Sequence, residues 1–303
     1  MKILISGSHG LVGSALIKSL TAGKYEVIRL VRHAPAAGAT EIEWQPDKGL
    51  IDKAQLEGLD AVVHLAGENI GEGRWTAEKK RAILDSRVKG TALLSEALAT
   101  LRRPPGVFLS ASAIGYYGNR GDEKLTETSA PRDDFLAHVC QEWEKATRPA
   151  SEKGIRTVLT RFGIILAEHG GALAKMLTPF RMGIGGRIGD GKQWMGWIAL
   201  DDVVGALQFV IRDQSVNGPV NFVAPIPVTN AEFTKTLGSV LSRPTFLPVP
   251  AFGVRLAFGS EMADSLLLAS QRVEPTVLTE RGFGFNFARL EPALKHILHR
   301  EYQ

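Results

Sequence analysis

Short apolar runs alternate with amphipathic stretches over the first two thirds of the chain. The apolar runs are rich in Val, Ile and Leu, which is typical of strands buried on both faces. Between them, apolar residues recur every three or four positions, which predicts helices with one buried face. The pattern predicts strands at Lys2–Ile5, Val27–Val31, Ile42–Trp44, Leu59–Gly67, Val107–Ser110 and Arg156–Thr160, and helices at Ser14–Leu20, Thr76–Leu101 and Phe135–Ser151.

The order strand, helix, strand has a topological consequence. A helix between two strands acts as a crossover, so the strands run parallel in one sheet with helices on both faces. We therefore expect an α/β fold with a doubly wound parallel sheet of the Rossmann type. Ligands bind outside the carboxyl ends of the strands in such sheets. Residues at or beyond the carboxyl ends of predicted strands are therefore candidates for a binding site, among them Gly7, Arg32, Leu65, Ser112 and Ile165.

The alternation breaks down after about Leu166. Glycines crowd residues 170–191, and prolines punctuate residues 219–275, which favours loops and short elements. The pair Asp201–Asp202 is expected to cap a helix. Helices are predicted at Asp201–Ile211, Ala231–Leu241 and Leu290–Leu298.

This change of pattern predicts two domains. The Rossmann domain would comprise residues 1–165, with residues 198–213 returning to it. A smaller C-terminal α/β substrate domain would comprise residues 166–197 and 214–303, closing over a cofactor. A chain of 303 residues is long enough for one large domain or two modest ones.

Composition and charge argue against several classes of partner. Of the residues, 44% are hydrophobic and 22% charged, with a formal net charge of +4. Because no run of Lys and Arg contains interleaved aromatic residues, we expect no nucleic-acid partner. Since the longest apolar runs are far shorter than a membrane-spanning helix, we expect no membrane partner either.

Cysteine and histidine usage bears on location and metals. Cys140 is the only cysteine, which rules out an intrachain disulfide and favours a cytoplasmic location. His33, His138 and His169 show no metal-ligand spacing with one another or with Cys140. We therefore expect no bound metal.

A glycine-rich turn at residues 7–13 follows the first predicted strand and leads directly into a helix. Its missing side chains would let the backbone approach a pyrophosphate, and the helix N-terminus offers free N–H groups with a partial positive charge. Any tight turn can use glycine, and the spacing G-x-x-G-x-x-G differs from the usual G-x-G-x-x-G. The position between strand and helix nevertheless favours a dinucleotide site. Its predicted cofactor-binding residues are Gly7, Gly10, Leu11, Val12 and Gly13.

The end of the second predicted strand indicates which dinucleotide binds. An acidic residue there would bond a ribose 2′-OH and repel a 2′-phosphate. Here Glu26 opens the strand and Arg32 closes it, and a guanidinium can grip a phosphate in a fork. We therefore predict NADP(H) over NAD(H). The alternative is that Arg32 is an ordinary solvated loop residue.

Motifs spread over the whole chain resemble those of the extended short-chain dehydrogenase/reductase superfamily, which includes sugar-nucleotide epimerases and dehydratases. The glycine turn resembles its cofactor motif. Ser110–Gly118 is similar to its S-S-x-x-V-Y-G region, and Trp197–Val203 to its F-I-H-V-D-D-V segment. Further segments resemble one atypical subfamily, the YfcH-like "epimerase family protein" group, namely Ala66–Ile70, Ser86–Arg87, Tyr116–Tyr117, Trp143–Glu144 and Leu177–Phe180.

The resemblance implies an NADP-binding Rossmann domain and a small C-terminal domain, without a known substrate. It implies that Leu65, Ala66 and Gly67 lie along the adenosine side of the cofactor. Arg87 stands where the superfamily often has asparagine, and the resemblance implies cofactor contact there too; the alternative is a helix-surface arginine. Because such proteins commonly dimerise through two long helices, a homodimer is a further expectation.

The superfamily's usual proton-transfer pair is absent from this chain. That chemistry needs a Tyr and, four residues later, a Lys on one helix, where the lysine and the nicotinamide charge lower the tyrosine's pKa. When the sequence is aligned on Glu144 and the helix start, these positions fall on Phe135 and Val139. Neither side chain can transfer a proton.

Three hydroxyl groups are candidates to take over. Ser112 matches the superfamily's Ser or Thr that hydrogen-bonds the reacting oxygen, and Tyr117 matches the tyrosine of V-Y-G, with Tyr116 beside it. We therefore predict Ser112, Tyr117 and Tyr116 as catalytic residues, a phenol serving as general acid if its pKa is lowered. Both phenols could instead merely pack around the ligands. Glu68 could orient a substrate hydroxyl or hold Arg74.

Three functions follow as hypotheses. The leading one is an NADPH-dependent oxidoreductase acting on a small carbonyl or sugar-like substrate. The second is a sugar-nucleotide epimerase or dehydratase, which generally prefers NAD, and Arg32 argues against it. The third is a non-catalytic NADPH-responsive binding protein, in which the lost acid/base pair reflects lost catalysis.

Overall fold

The computed structural model describes residues 1–299. The strands are β1 (Lys2–Ser6), β2 (Glu26–Val31), β3 (Glu41–Gln45), β4 (Leu50–Ile51), β5 (Ala61–His64), β6 (Val107–Ala113), β7 (Lys124–Leu125), β8 (Arg156–Phe162), β9 (Ile164–Leu166), β10 (Trp194–Met195), β11 (Trp197–Ala199), β12 (Gly218–Phe222), β13 (Val228–Thr229) and β14 (Arg272–Val273).

The helices are α1 (Leu11–Ala22), α2 (Ala77–Ala99), α3 (Phe135–Lys145), α4 (Arg148–Glu152), α5 (Gly171–Arg181), α6 (Leu200–Arg212), α7 (Asn230–Leu241), α8 (Ala251–Phe258), α9 (Ser260–Met262), α10 (Thr276–Glu280) and α11 (Leu290–Ile297). Short 3₁₀ helices lie at Pro46–Lys48, Lys53–Leu56 and Ile114–Tyr117, and a π-helix at Ala263–Leu267.

One large sheet organises the fold. Within residues 1–299 it has eight strands in the order β12-β8-β6-β5-β1-β2-β3-β4, parallel except for the antiparallel pair β3 and β4 at one edge. This confirms the predicted doubly wound α/β architecture. The chain winds from β1 toward β2 and β3, then resumes on the other side of β1 at β5. That reversal opens a crevice at the carboxyl ends of these strands, where ligands bind in such folds.

The two faces of the sheet are covered by different helices. Ile5 and its neighbours pack against α1 and α6, whereas the adjacent Leu4 packs on the other side with apolar residues of α2, and both side chains are fully buried. Consecutive strand residues point to opposite faces, so a strand with both faces covered must be apolar throughout. This accounts for the unbroken apolar runs in the sequence.

β12 lies in the range that the sequence assigned to the smaller domain, yet it is the edge strand of the main sheet. It pairs parallel with β8, and Val220 and Phe222 join the core beneath α6. Gly218 and Pro219 open the strand, and these two residue types weaken a strand signal in sequence.

The helix predicted at Phe135–Ser151 is two helices. α3 ends at Lys145 and α4 begins at Arg148, with Pro149 in its first turn. Proline cannot donate to the preceding turn and clashes with the carbonyl four residues earlier, but it is accepted at a helix start. The proline therefore marks a new helix rather than the middle of a longer one.

The C-terminal part has its own core between α5, α7 and α11, which includes Trp197, Phe233 and Leu294. The predicted capping by Asp201–Asp202 is wrong, because α6 begins at Leu200 after Ala199 without a side-chain cap. Asp202 is instead fully buried and accepts hydrogen bonds from the backbone N–H groups of Asn286 and Phe287 at 2.8 and 3.0 Å. It therefore ties the C-terminal segment to α6.

Candidate functional site

The glycine turn is packed more closely than side chains would allow. Gly7 has φ of +68°, and a Cβ there would lie 2.8 Å from the carbonyl carbon of Leu65. A Cβ on Gly13 would overlap the carbonyl oxygen of Gly7. Gly10, between them, is exposed. The turn therefore has an uncovered backbone at the end of β1, which is the cradle a pyrophosphate requires.

The first turn of α1 is open to an anion. α1 begins at Leu11 with no acidic residue in its first turn, and no side chain caps it. The N–H groups of Leu11, Val12 and Gly13 lie at the positive end of the helix dipole, where they lack intrahelical partners. A Cβ on Gly171 would lie 3.3 Å from Leu11 and 3.5 Å from the carbonyl oxygen of Ile165. Gly171 thus lies close to both Leu11 and the carbonyl of Ile165, and cofactor contact by Ile165 stays a prediction.

Ser6 and His64 brace the facing strand end. Ser6 Oγ accepts the backbone N–H groups of Leu65 and Ala66 at 3.1 and 3.2 Å, so its own proton goes to His64 Nδ1 at 2.6 Å. Burial lowers the pKa of His64 to about 4, which keeps the imidazole neutral with its proton on Nε2. Ser6 is not among the predicted site residues, because a serine inside an apolar strand gives no signal of its partner.

A basic rim lies beside the glycine turn. Arg32 directly follows β2 and is exposed. Within residues 1–299 its guanidinium has no hydrogen-bond or ion-pair partner. The next residue, His33, places its ring 6.4 Å from that of His9 in the turn. The structure therefore brings together two basic segments that are far apart in sequence.

Arg87 supports the loop that follows β5. Its Nη1 donates to the carbonyl oxygens of Glu68 and Ile83 at 3.0 and 3.1 Å, and a Cβ on Gly67 would lie 3.3 Å from its guanidinium carbon. Burial lowers the pKa of Arg87. Glu68 itself pairs with Lys79 at 2.6 Å. It does not hold Arg74, which was one of its two predicted roles. Arg87 is therefore no surface arginine, and its cofactor contact stays a prediction.

The helix positions of the missing acid/base pair are apolar. The ring of Phe135 packs edge-on against Trp75 with centroids 5.2 Å apart, and the ammonium of Lys80 lies 4.9 Å from the Phe135 centroid. Val139 is buried one turn further along α3. Lys80 also pairs with Glu261 at 2.8 Å. The ammonium of an ion pair between α2 and the C-terminal part thus lies against Phe135, one of the two acid/base positions.

Ser112 is committed to a neighbouring carboxylate. Its hydroxyl donates to Glu144 Oε1 at 2.7 Å. Glu144 is held in turn by Arg161 in a two-pronged pair with both N···O distances 2.8 Å, and both side chains are nearly buried. A carboxylate so paired only accepts hydrogen bonds. In this geometry Ser112 has no proton left to donate to a substrate oxygen, contrary to its predicted role.

Tyr117 belongs to the same polar core. It is fully buried, donates to Asn221 Oδ1 at 2.7 Å and accepts from Arg161 Nη1 at 3.0 Å. Burial raises the pKa of Tyr117 to about 12. A hydroxyl without access to the crevice and with a raised pKa is unsuited to move a substrate proton. The predicted catalytic role does not fit this placement, which makes Tyr117 a structural residue.

Tyr116 has a different environment. It is half-buried, and its ring lies against the guanidinium of Arg161, whose central carbon is 3.5 Å from the ring centroid. Within residues 1–299 its hydroxyl has no hydrogen-bond partner. Of the three predicted catalytic residues, Tyr116 alone keeps a hydroxyl free for a ligand, and its role stays a prediction.

A cavity of about 190 Å³ lies in front of α3. It lies between the loop after β6 and the C-terminal segment. Asp134 accepts the N–H of Ala137 at the start of α3 at 3.0 Å, and Asp264 pairs with Arg255 at 2.9 Å. The volume is below that of most ligand sites, so it suits part of a small substrate. Its lining comprises Gly115, Gly118, Asn119, Asp134, Leu136, Asp264, Ser265, Ala269 and Gln271.

Two further features of residues 1–299 bear on function. No helix in this range is both long enough and apolar enough to cross a membrane. No group of three or more His, Cys, Asp and Glu side chains in the same range is placed to hold a metal ion.

Comparison with known families agrees with this geometry. Residues 3–223 match the model of the NAD dependent epimerase/dehydratase family. The chain belongs to this family. Residues 249–297 match a domain of unknown function, DUF1731. The resemblance to extended short-chain dehydrogenase/reductases, and to their "epimerase family protein" group, is thereby confirmed.

Relatives with the name "epimerase family protein" are similar to this chain over nearly its whole length. Epimerase family protein Mb2239 of Mycobacterium bovis is 45% identical over 292 residues, covering 96% of both chains. The crystal structure of human epimerase family protein SDR39U1 with NADPH is 34% identical, with a TM-score of 0.90 and 99% coverage of both chains. The Thermus thermophilus UDP-glucose 4-epimerase complex with NAD has a TM-score of 0.77 at 18% identity, covering 99% of this chain and 98% of the other, which shows the fold alone.

Proposed function

We propose that this family member binds NADPH and reduces a small carbonyl or sugar-like compound. Arg32 carries the cofactor assignment, because its exposed guanidinium, which has no partner among residues 1–299, stands where NAD sites place a carboxylate. The NADPH in the human SDR39U1 structure supports it. The residues proposed to hold the cofactor are Gly7, Gly10, Leu11, Val12 and Gly13 at the pyrophosphate, Arg32 at the 2′-phosphate, and Leu65, Ala66, Gly67, Arg87 and Ile165 along the remainder.

The chemistry of the reduction needs a hydride and a proton. NADPH, when bound, supplies a hydride for the carbonyl carbon. Tyr116 is our candidate to give a proton to the carbonyl oxygen, because Ser112 donates to Glu144 and Tyr117 is buried. The single cysteine, Cys140, supports a cytoplasmic location for this reaction.

Titration of tryptophan fluorescence with NADPH and with NADH tests the cofactor assignment. We expect NADPH to bind far more tightly. Arg32→Glu should weaken NADPH by about tenfold to a hundredfold, since a charge-assisted contact to phosphate is lost, and should change NADH by less than about threefold. Arg289→Glu, at an exposed position before α11, is the matched control. Equal losses for both dinucleotides would discard the 2′-phosphate contact.

A second candidate is an NADPH-responsive binding protein without turnover. It is favoured by Phe135 and Val139 at the acid/base positions and by the bond between Ser112 and Glu144. Loss of NADPH absorbance with a panel of aldehydes, ketones and sugars separates the two candidates. Oxidation of NADPH with any of them supports the reductase, whereas tight NADPH binding without oxidation supports the second candidate. Retained NAD together with sugar-nucleotide binding would instead favour an epimerase.

A further inference from the structure

We propose that His9 and His33 bind the 2′-phosphate together with Arg32 and make the preference for NADP(H) over NAD(H) depend on pH. This rests on the proposed function. The two imidazoles come from different segments, His9 from the glycine turn and His33 from the residue after Arg32. Their centroids lie 6.4 Å apart at an interplanar angle of 53°, and both side chains are exposed. A phosphate placed between the two rings would be within reach of both imidazoles, and Arg32 directly precedes His33 in the chain.

The hydrogen bonding of His33 gives its charge a specific effect. His33 Nδ1 lies 3.1 Å from the carbonyl oxygen of Ala34. Because a carbonyl oxygen only accepts, Nδ1 carries a proton in this geometry, and Nε2 of the neutral ring presents a lone pair. Only the doubly protonated ring presents an Nε2–H to an anion. His33 thus repels a phosphate oxygen when neutral and binds it when charged.

His9 has a compatible neighbour. Its Nδ1 lies 3.3 Å from Ser8 Oγ, and a hydroxyl can accept or donate. The protonated ring can therefore give one N–H to Ser8 and direct the other toward a ligand. Ser8 itself is buried, so the serine anchors one side of a ring that is otherwise exposed.

The charges around these rings favour an anion. Neither the glycine turn nor residues 32–40 contain Asp or Glu, and α1 has no acidic residue in its first turn. Carboxylates occur on the adjoining elements, where Glu43 of β3 accepts from Gln45 at 2.7 Å and Glu68 after β5 pairs with Lys79. Glu41 of β3 is in register with Arg29. Arg32 supplies positive charge at every physiological pH. Protonated imidazoles add further positive charge, which is lost as pH rises.

The direction of the effect follows from imidazole chemistry. An imidazole in water is about half protonated near pH 6.5 and neutral at pH 8.5, whereas a phosphate monoester is mostly dianionic above about pH 6. Because a protonated imidazole binds a phosphate oxygen better than a neutral one, the NADP⁺/NAD⁺ affinity ratio should fall as pH rises between these two values.

Isothermal titration with NADP⁺ and NAD⁺ between pH 6.5 and pH 8.5, at constant ionic strength, tests the proposal. We expect the affinity ratio to fall in the wild type, to fall less in His9→Gln and in His33→Gln, and to stay flat in the double variant. His138→Gln, at an exposed position of α3, should behave as the wild type. NAD⁺ lacks the 2′-phosphate, so the ratio removes pH effects on the rest of the site.

The outcomes distinguish failure of the imidazole proposal from failure of the proposed function on which it rests. A ratio that is flat in the wild type, or that falls equally in the double variant, overturns the imidazole proposal while leaving NADP binding intact. Failure of both dinucleotides to bind at any pH would overturn the proposed function itself. Circular dichroism of each variant shows that the comparison is made on folded protein.

Discussion

The hydroxyl of Ser112 donates a 2.7 Å hydrogen bond to the carboxylate of Glu144, 32 residues away. That carboxylate is fixed by Arg161, so it cannot turn away and leave the Ser112 hydroxyl free for another acceptor. A residue at the position of a substrate-polarising serine is thereby built into the core of the fold.

Ser112→Ala should therefore affect stability more than chemistry. Loss of the bond to a buried carboxylate should lower the free energy of unfolding by about 1–2 kcal/mol, with NADPH affinity within about twofold of wild type. Urea denaturation and NADPH titration measure the two quantities, and Ser151→Ala on the exposed side of α4 is the control. A hundredfold loss of turnover at unchanged stability would return Ser112 to the reaction.

Substitution of the two neighbouring tyrosines should give different results, with Tyr117→Phe lowering stability and Tyr116→Phe lowering turnover. Tyr117→Phe removes a hydroxyl bonded to Asn221 and Arg161 and should cost about 1–3 kcal/mol of stability. Tyr116→Phe removes a hydroxyl that has no partner in the described part of the chain and should change stability by less than about 0.5 kcal/mol. Once a carbonyl substrate is found, Tyr116→Phe should lower kcat by about 10²–10⁴. Unchanged kcat in this variant would exclude Tyr116 as the proton donor.

The pair between Arg161 and Glu144 should dominate local stability. Arg161→Met leaves a nearly buried carboxylate without its partner, which should cost about 3–5 kcal/mol. Lys145→Met breaks the pair with Glu142 on the same helix, where the side chains are 51% and 34% exposed, and should cost less than about 1 kcal/mol. Urea denaturation compares them, and similar losses in both variants would contradict the assigned role of the core pair.

His64 should make stability depend on acid. Burial lowers its pKa from 6.5 to about 4, so between these values the unfolded chain binds a proton that the folded protein does not. The part of the free energy of unfolding that depends on His64 is fully present above pH 6.5. It declines by about 3 kcal/mol as pH falls to 4. Denaturation from pH 7 to 4 should show a shallower pH dependence in His64→Gln than in wild type. His169→Gln is the control, and identical slopes in all three proteins would refute this assignment.

Some features of the fold and the site are encoded in short stretches of sequence. The apolar runs predict the inner strands because both faces of a parallel sheet are covered, and the glycine turn predicts a phosphate cradle because its neighbours along the chain are the strand and helix it joins. The replacement of the acid/base pair by Phe135 and Val139 follows from the resemblance, when the sequence is aligned on Glu144 and the helix start.

Other features were decided only by tertiary structure. The hydrogen bond from Ser112, the burial of Tyr117 and the meeting of His9 with His33 each depend on a partner from a distant segment, and no local pattern records that partner. The same holds for β12, whose place at the sheet edge follows from its pairing with β8. The sequence thus determined which chemical groups stand at the strand ends. The packing of distant segments determined which hydroxyls are free, because burial and hydrogen-bond partners are properties of the assembled fold.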